Sequence, residues 1–81
     1  MTIGQDEAMK MIRDAIKLAV NDEPEITERT DLINDEILDS LDSMVFVMEL
    51  EKLSGIKFPE EDLEEAGFYS VPKLLEHICG A

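Results

Sequence analysis

Asp39-Ser40-Leu41-Asp42-Ser43-Met44-Val45-Phe46-Val47-Met48-Glu49-Leu50-Glu51-Lys52-Leu53 decides the fold, because an acidic, aperiodic run ends at its first residue and the most apolar helix of the chain begins. Asp39 is a residue type that caps a helix by accepting from the free N–H groups of its first turn. Ser40 then falls at or beside that turn. A hydroxyl there faces solvent next to unpaired backbone N–H groups and the positive end of the helix dipole, so a phosphate ester on its oxygen would be well tolerated. At about 100° per residue, Phe46, Leu50 and Leu53 form one apolar stripe with Val47 at its flank, and Leu41, Met44, Val45 and Met48 form a second on the opposite side. A small domain has a core for one stripe. The second is either covered by the preceding loop or exposed beside Ser40 as a docking patch, and methionines suit the latter because the thioether repacks easily against different partners.

Upstream, Ala8, Ile12, Ala15, Ile16 and Ala19 recur at helical spacing and predict an amphipathic helix over 3–20, with Lys10, Arg13 and Lys17 on another strip. Thr2 with Gln5 three places on reads as a capping box. Asn21-Asp22-Glu23-Pro24 ends that helix, and residues 21–39 keep no period. A loop of this length in a small domain must be functional or pinned, and Ile26, Leu32, Ile33, Ile37 and Leu38 are the expected pins, with a short helical turn near 31–36. Downstream, Gly55 stops the central helix. Pro59 followed by Glu60, Glu61 and Asp62 predicts a short helix closing by Gly67, and Ser70 caps a last helix through Val71, Pro72, Leu74, Leu75 and Ile78. The expected fold is all-α, a small four-helix up-down bundle with a long first loop and a short third helix, forming one domain over residues 1–81.

The 81 residues allow a single modest core. A formal charge of −13, from 20 acidic against 7 basic residues, argues against nucleic acid and anionic membrane surfaces and for basic partners. Between residues 18 and 51 stand eleven carboxylates, and the nearby cations are Arg29 and Lys52. The single cysteine, Cys79, forms no internal disulfide and fits a reducing compartment; with a polar start and no spanning apolar run, a cytoplasmic monomer is expected. Cys79 and His77, the only histidine, lie two apart on one helix and point away from each other, so they form no nucleophile–base pair and no enzyme is expected. His77 reads as a solvated helix residue. Asp31, Asp35, Glu36 and Asp39 lack the spacing and central glycine of a calcium loop, so no metal site is expected.

Asp39-Ser40-Leu41 opening a helix, the acidic loop before it, Ile56-Lys57-Phe58-Pro59-Glu60-Glu61-Asp62 after it and Ser70-Val71 at the last helix together resemble the acyl carrier protein family over about residues 7–78. The resemblance implies a 4′-phosphopantetheine arm on Ser40, with Asp39, Leu41 and Asp42 as the flanking motif and acyl groups held as thioesters for fatty acid, lipid or polyketide-type synthesis. It implies a phosphopantetheinyl transferase, and acyl-transferring or condensing enzymes with basic docking patches, as partners. Leu41, Asp42, Met44, Met48 and Glu51 would form the docking face. Where fatty-acid carriers usually have Gly-Ala before the motif, this chain has Ile37-Leu38, a form also similar to aminoacyl and D-alanyl carriers. Val45 and Lys52 occupy positions commonly acidic in the family.

A bare Asp-Ser-Leu is more often an ordinary helix start than a modification site. Two rival readings therefore stand beside the carrier: a specialised aminoacyl or D-alanyl carrier, and an acidic helical interaction module without a prosthetic group. A cation-buffering protein is a weaker third.

Overall fold

The structure, a computed structural model, describes residues 3–58 and 69–80. Among these residues it is all-helical, with α1 at Gln5–Val20, α2 at Ser40–Ser54 and α3 at Val71–Cys79 and no strand. The short helix expected after Pro59 falls on residues outside those described, so three helices stand where four were expected.

Helix α1 buries Ala8, Ile12, Ala15 and Ile16 as their periodicity predicts, with Met9 beside them, whereas Ala19 is only partly buried. Its start differs from expectation. The N-cap position is Gly4, which has no side chain to offer, and the Gln5 amide donates instead to Glu28 Oε1 at 2.9 Å, tying the helix to the loop. At the other end Asn21 turns left-handed at φ 56°, and its N–H donates to Lys17 O at 2.9 Å. Asn tolerates this conformation better than most residues, which is why the chain leaves the helix here.

The long loop is held by its own hydrogen bonds and by three apolar anchors, Ile26, Leu32 and Leu38, all buried. Asp31 organises its middle: Oδ1 accepts from the N–H groups of Ile33 (3.1 Å) and Asn34 (2.9 Å), and Oδ2 accepts from Asn34 Nδ2 (3.0 Å). Asp35 answers by accepting from Asp31 N–H at 2.9 Å. The expected helical turn is present as Asp35 N–H donating to Asp31 O at 2.8 Å, and Leu38 N–H closes the segment on Leu32 O at 2.8 Å. Ile33, expected as an anchor, is exposed instead, because the Asp31 turn directs its neighbour Leu32 into the core. Ile37 packs only partly buried against that core.

Two backbone bonds join this loop to the entrance of α3: Leu32 N–H donates to Tyr69 O at 3.0 Å, and Val71 N–H donates to Thr30 O at 2.7 Å. Ser70 caps α3 as its type suggests, its oxygen accepting from Lys73 N–H at 3.4 Å. Val71, Leu74, Leu75 and Ile78 then complete the core around Phe46 and Leu50. Full burial of a side chain as large as Phe46 contributes about 1.5–3 kcal/mol in apolar transfer alone.

His77 does not stand in solvent. It lies half-buried with its ring 4.7 Å from that of Phe58, and its Nε2 is 3.1 Å from Lys57 O. Phe58 is itself buried and draws the end of the connector onto α3, so a ring next to it is shielded by contact.

Candidate functional site

Leu38 is buried, and the chain emerges from the core directly after it at Asp39. Asp39 is extended, at φ −96° and ψ −172°, and its Oδ1 accepts from Asp42 N–H at 2.8 Å, which makes it the N-cap of α2. Replacing such a cap costs about 1 kcal/mol. Ser40 is thereby the first residue of the helix.

Ser40 is exposed, and no described residue hydrogen-bonds its hydroxyl. Its backbone carbonyl is held from inside: the buried Ser43 donates from Oγ to Ser40 O at 2.8 Å. The side chain of one serine therefore steadies the backbone of the other while leaving its oxygen free. An open cleft of about 600 Å³ adjoins the site, lined by Asp31, Ile33, Asn34, Leu38 and Tyr69 together with Asp39, Ser40 and Ser43. A phosphate ester fits this setting on three counts: the oxygen is unencumbered, there is room beside it, and the first-turn amides of α2 favour negative charge. No base contacts the hydroxyl among the described residues.

The docking residues expected from the sequence divide into two groups. Leu41, Met44 and Met48 are 75%, 66% and 56% exposed, and Val45 joins them at 41%. The loop does not cover this face. Asp42 is half-buried at its margin. Glu51 is turned away to another task, since its Oε2 accepts from Phe58 N–H at 3.0 Å and fixes the connector after α2. On the inner face Phe46, Val47 and Leu50 are buried with Ser43, whereas Leu53, expected with them, is 40% exposed. Leu53 lies about 60° round the helix from Leu50, in the last turn before the Gly55 cap.

Ser43 escaped the sequence reading. Serine within a helix commonly bonds a carbonyl three or four residues back, and the interval from Ser40 to Ser43 carried that signal. The carboxylates of Asp31 and Asp39, weighed for cations, are engaged with N–H donors. Among the described residues no three His, Cys, Asp or Glu side chains are grouped to hold a metal ion, and no helix is long and apolar enough to cross a membrane.

A family model described as "Phosphopantetheine attachment site" matches residues 8–78. The chain belongs to this family, that of the acyl carrier proteins. It is 40% identical over 73 residues to an acyl carrier protein of Clostridium perfringens, covering 90% of each chain. It is 39% identical over 56 residues to one of Brachyspira hyodysenteriae, with 67% of this chain and 72% of that one covered. A mitochondrial acyl carrier protein of Neurospora crassa is 41% identical over 59 residues, which are 73% of this chain and 42% of that protein. No solved structure gives a significant match. The family is one of carriers without catalysis of their own, bearing covalent 4′-phosphopantetheine, so the reading as an acidic module without a prosthetic group gives way.

Proposed function

We propose that Ser40 bears the arm and that the protein presents acyl intermediates to the enzymes of fatty acid, lipid or polyketide-type synthesis as a monomeric, single-domain cytoplasmic carrier. The observation that carries this reading is the exposed Ser40 hydroxyl at the capped entrance of α2, to which no described residue hydrogen-bonds. When bound, the group supplies a thiol for acyl esters, and the chemistry belongs to it rather than to the protein.

The chain's own residues position and present. Asp39 and Ser43 hold the first turn, so that a visiting phosphopantetheinyl transferase meets a fixed oxygen and removes its proton with a base of its own. Leu41 and Asp42 flank that oxygen as the recognition motif. Acids around the site, Asp35 and Glu36 in the loop with Asp39 and Asp42, steer basic surfaces toward it. Leu41, Met44 and Met48 form the contact face for acyl-transferring and condensing enzymes.

Intact-protein mass after incubation with coenzyme A and a promiscuous transferase tests the assignment. The folded wild type should gain one phosphopantetheinyl group and Ser40→Ala none. An unmodified wild type, or a modified Ser40→Ala, would overturn it.

A second reading is favoured by the polar rim of the cleft, where Asp31, Asn34 and Asp39 stand beside Ser40. A specialised aminoacyl or D-alanyl cargo suits such a rim better than a long alkyl chain does. Loaded species trapped from cells and weighed by mass spectrometry separate the two.

A further inference from the structure

Ser40 is held from its C-terminal side by α2, and what holds it from the other side is a closed turn in the loop. Leu38 N–H donates to Leu32 O at 2.8 Å, and both side chains are buried, so residues 32–38 form a ring whose two ends are fixed in the core. Asp31 and Asp35 brace it. The Asp31 carboxylate accepts from Ile33 N–H (3.1 Å), Asn34 N–H (2.9 Å) and Asn34 Nδ2 (3.0 Å), and its N–H donates to Asp35 Oδ2 (2.9 Å). Glu36 completes the turn in the left-handed region at φ 60°, which a residue with a side chain adopts only at a cost. Residues 33–36 are exposed, so this bracing adds no apolar burial to the core. What it fixes is the exit, because after Leu38 the chain leaves the core as Asp39 and Ser40. Asp31, Ile33 and Asn34 also form a wall of the cleft beside that serine.

We propose that Asp31, with Asp35 behind it, is a positioning residue for attachment of the arm: the braced ring sets where Leu38 releases the chain and, through the Asp39 cap, the line along which the Ser40 oxygen meets its reagent. This rests on the reading of Ser40 as the modified residue and names upstream residues that govern its rate of modification. In the step concerned, the Ser40 oxygen bonds to the phosphorus of the phosphopantetheinyl group and the pyrophosphate P–O bond of coenzyme A breaks. Adenosine 3′,5′-bisphosphate leaves with the bonding pair, and the serine proton passes to a base of the transferase. Attacking and leaving oxygens must stand roughly in line across phosphorus, so a shift of the serine that leaves docking intact still slows the step. Geometry rather than charge is the agent here. An amide in place of the Asp31 carboxylate keeps the Oδ1 acceptor for the Ile33 and Asn34 N–H groups and loses only the bond from Asn34 Nδ2.

The test uses the apo-protein as substrate for a promiscuous transferase with saturating coenzyme A, at a temperature where circular dichroism shows each variant folded. Arm attachment is followed by intact mass, and peptide mass locates the arm. Asp31→Ala should lower kcat about tenfold with KM within about twofold of wild type, the pattern of a misplaced reacting group. Asp31→Asn should bring kcat back to within about twofold of wild type, although it lacks the charge. Asp35→Ala, which removes one bracing bond, should lower kcat about threefold, and it stands in if Asp31→Ala fails to fold. Ile26→Val leaves a small cavity under the same long loop but outside the ring, and should leave kcat unchanged. Wild-type kcat in Asp31→Ala or, where that variant does not fold, in Asp35→Ala would overturn the proposal. So would a loss confined to KM, a failure of Asp31→Asn to recover, or an equal loss in Ile26→Val, which marks a general effect of stability. A wild type that gains no arm, or gains it elsewhere than at Ser40, would overturn the Ser40 reading and this proposal with it, whereas the preceding outcomes leave that reading standing.

Discussion

Helices α1 and α2 have 16 and 15 residues and pack against one another, yet they distribute their apolar side chains differently. Helix α1 places Ala8, Met9, Ile12, Ala15 and Ile16 in the core and gives most of its outer face to charge. Helix α2 buries Phe46, Val47 and Leu50 and leaves Leu41, Met44, Val45 and Met48 outside. That second face lies outside the core. Side chains of similar hydropathy therefore take two places on one helix: the inner set packs the core and the outer set stands in solvent.

Four substitutions test this contrast, in descending order of expected effect. Ser40→Ala should abolish transferase-dependent mass gain completely while leaving the melting temperature unchanged, since the lost hydroxyl has no described partner. Phe46→Ala should cost about 3–5 kcal/mol in urea unfolding, because it empties a fully buried site at the centre of the core. Asp39→Ala should cost about 1 kcal/mol and also slow modification of Ser40, since the cap orients the turn that presents it. Met48→Ala should cost under about 0.5 kcal/mol in the same unfolding assay, the usual result at a surface position. Equal losses from Phe46→Ala and Met48→Ala would erase the distinction between the faces. A fifth measurement bears on the whole molecule: added salt should raise the melting temperature by screening the repulsion of a −13 charge, and an insensitive temperature would contradict it.

Much of this architecture was legible in the residues. Periodicity located all three described helices, Asp39 and Ser70 declared themselves as caps, and Gly55 marked the end of α2, where it takes φ 72°. The candidate site was legible as well, since a capped helix start is a local feature. Other features depended on partners distant in sequence. Nothing in Leu32 and Tyr69, or in Thr30 and Val71, announces that their backbones meet. Glu51 looks like any surface acid until the connector folds back to bring Phe58 N–H onto it. Gln5 resembled half of a capping box, but Gly4 occupies the cap and Glu28 takes the amide.

By itself the chain determined where the described helices lie, the first turn of α1 apart, and that one hydroxyl stands at the mouth of the central one. Those outcomes follow from cap chemistry and side-chain spacing within a few residues. Whether the second apolar face of α2 lies under the long loop or stands in solvent was decided by tertiary structure alone. The pattern allows both, and the loop's anchors Ile26, Leu32 and Leu38 pack into the core with the inner face of α2, leaving the second face uncovered.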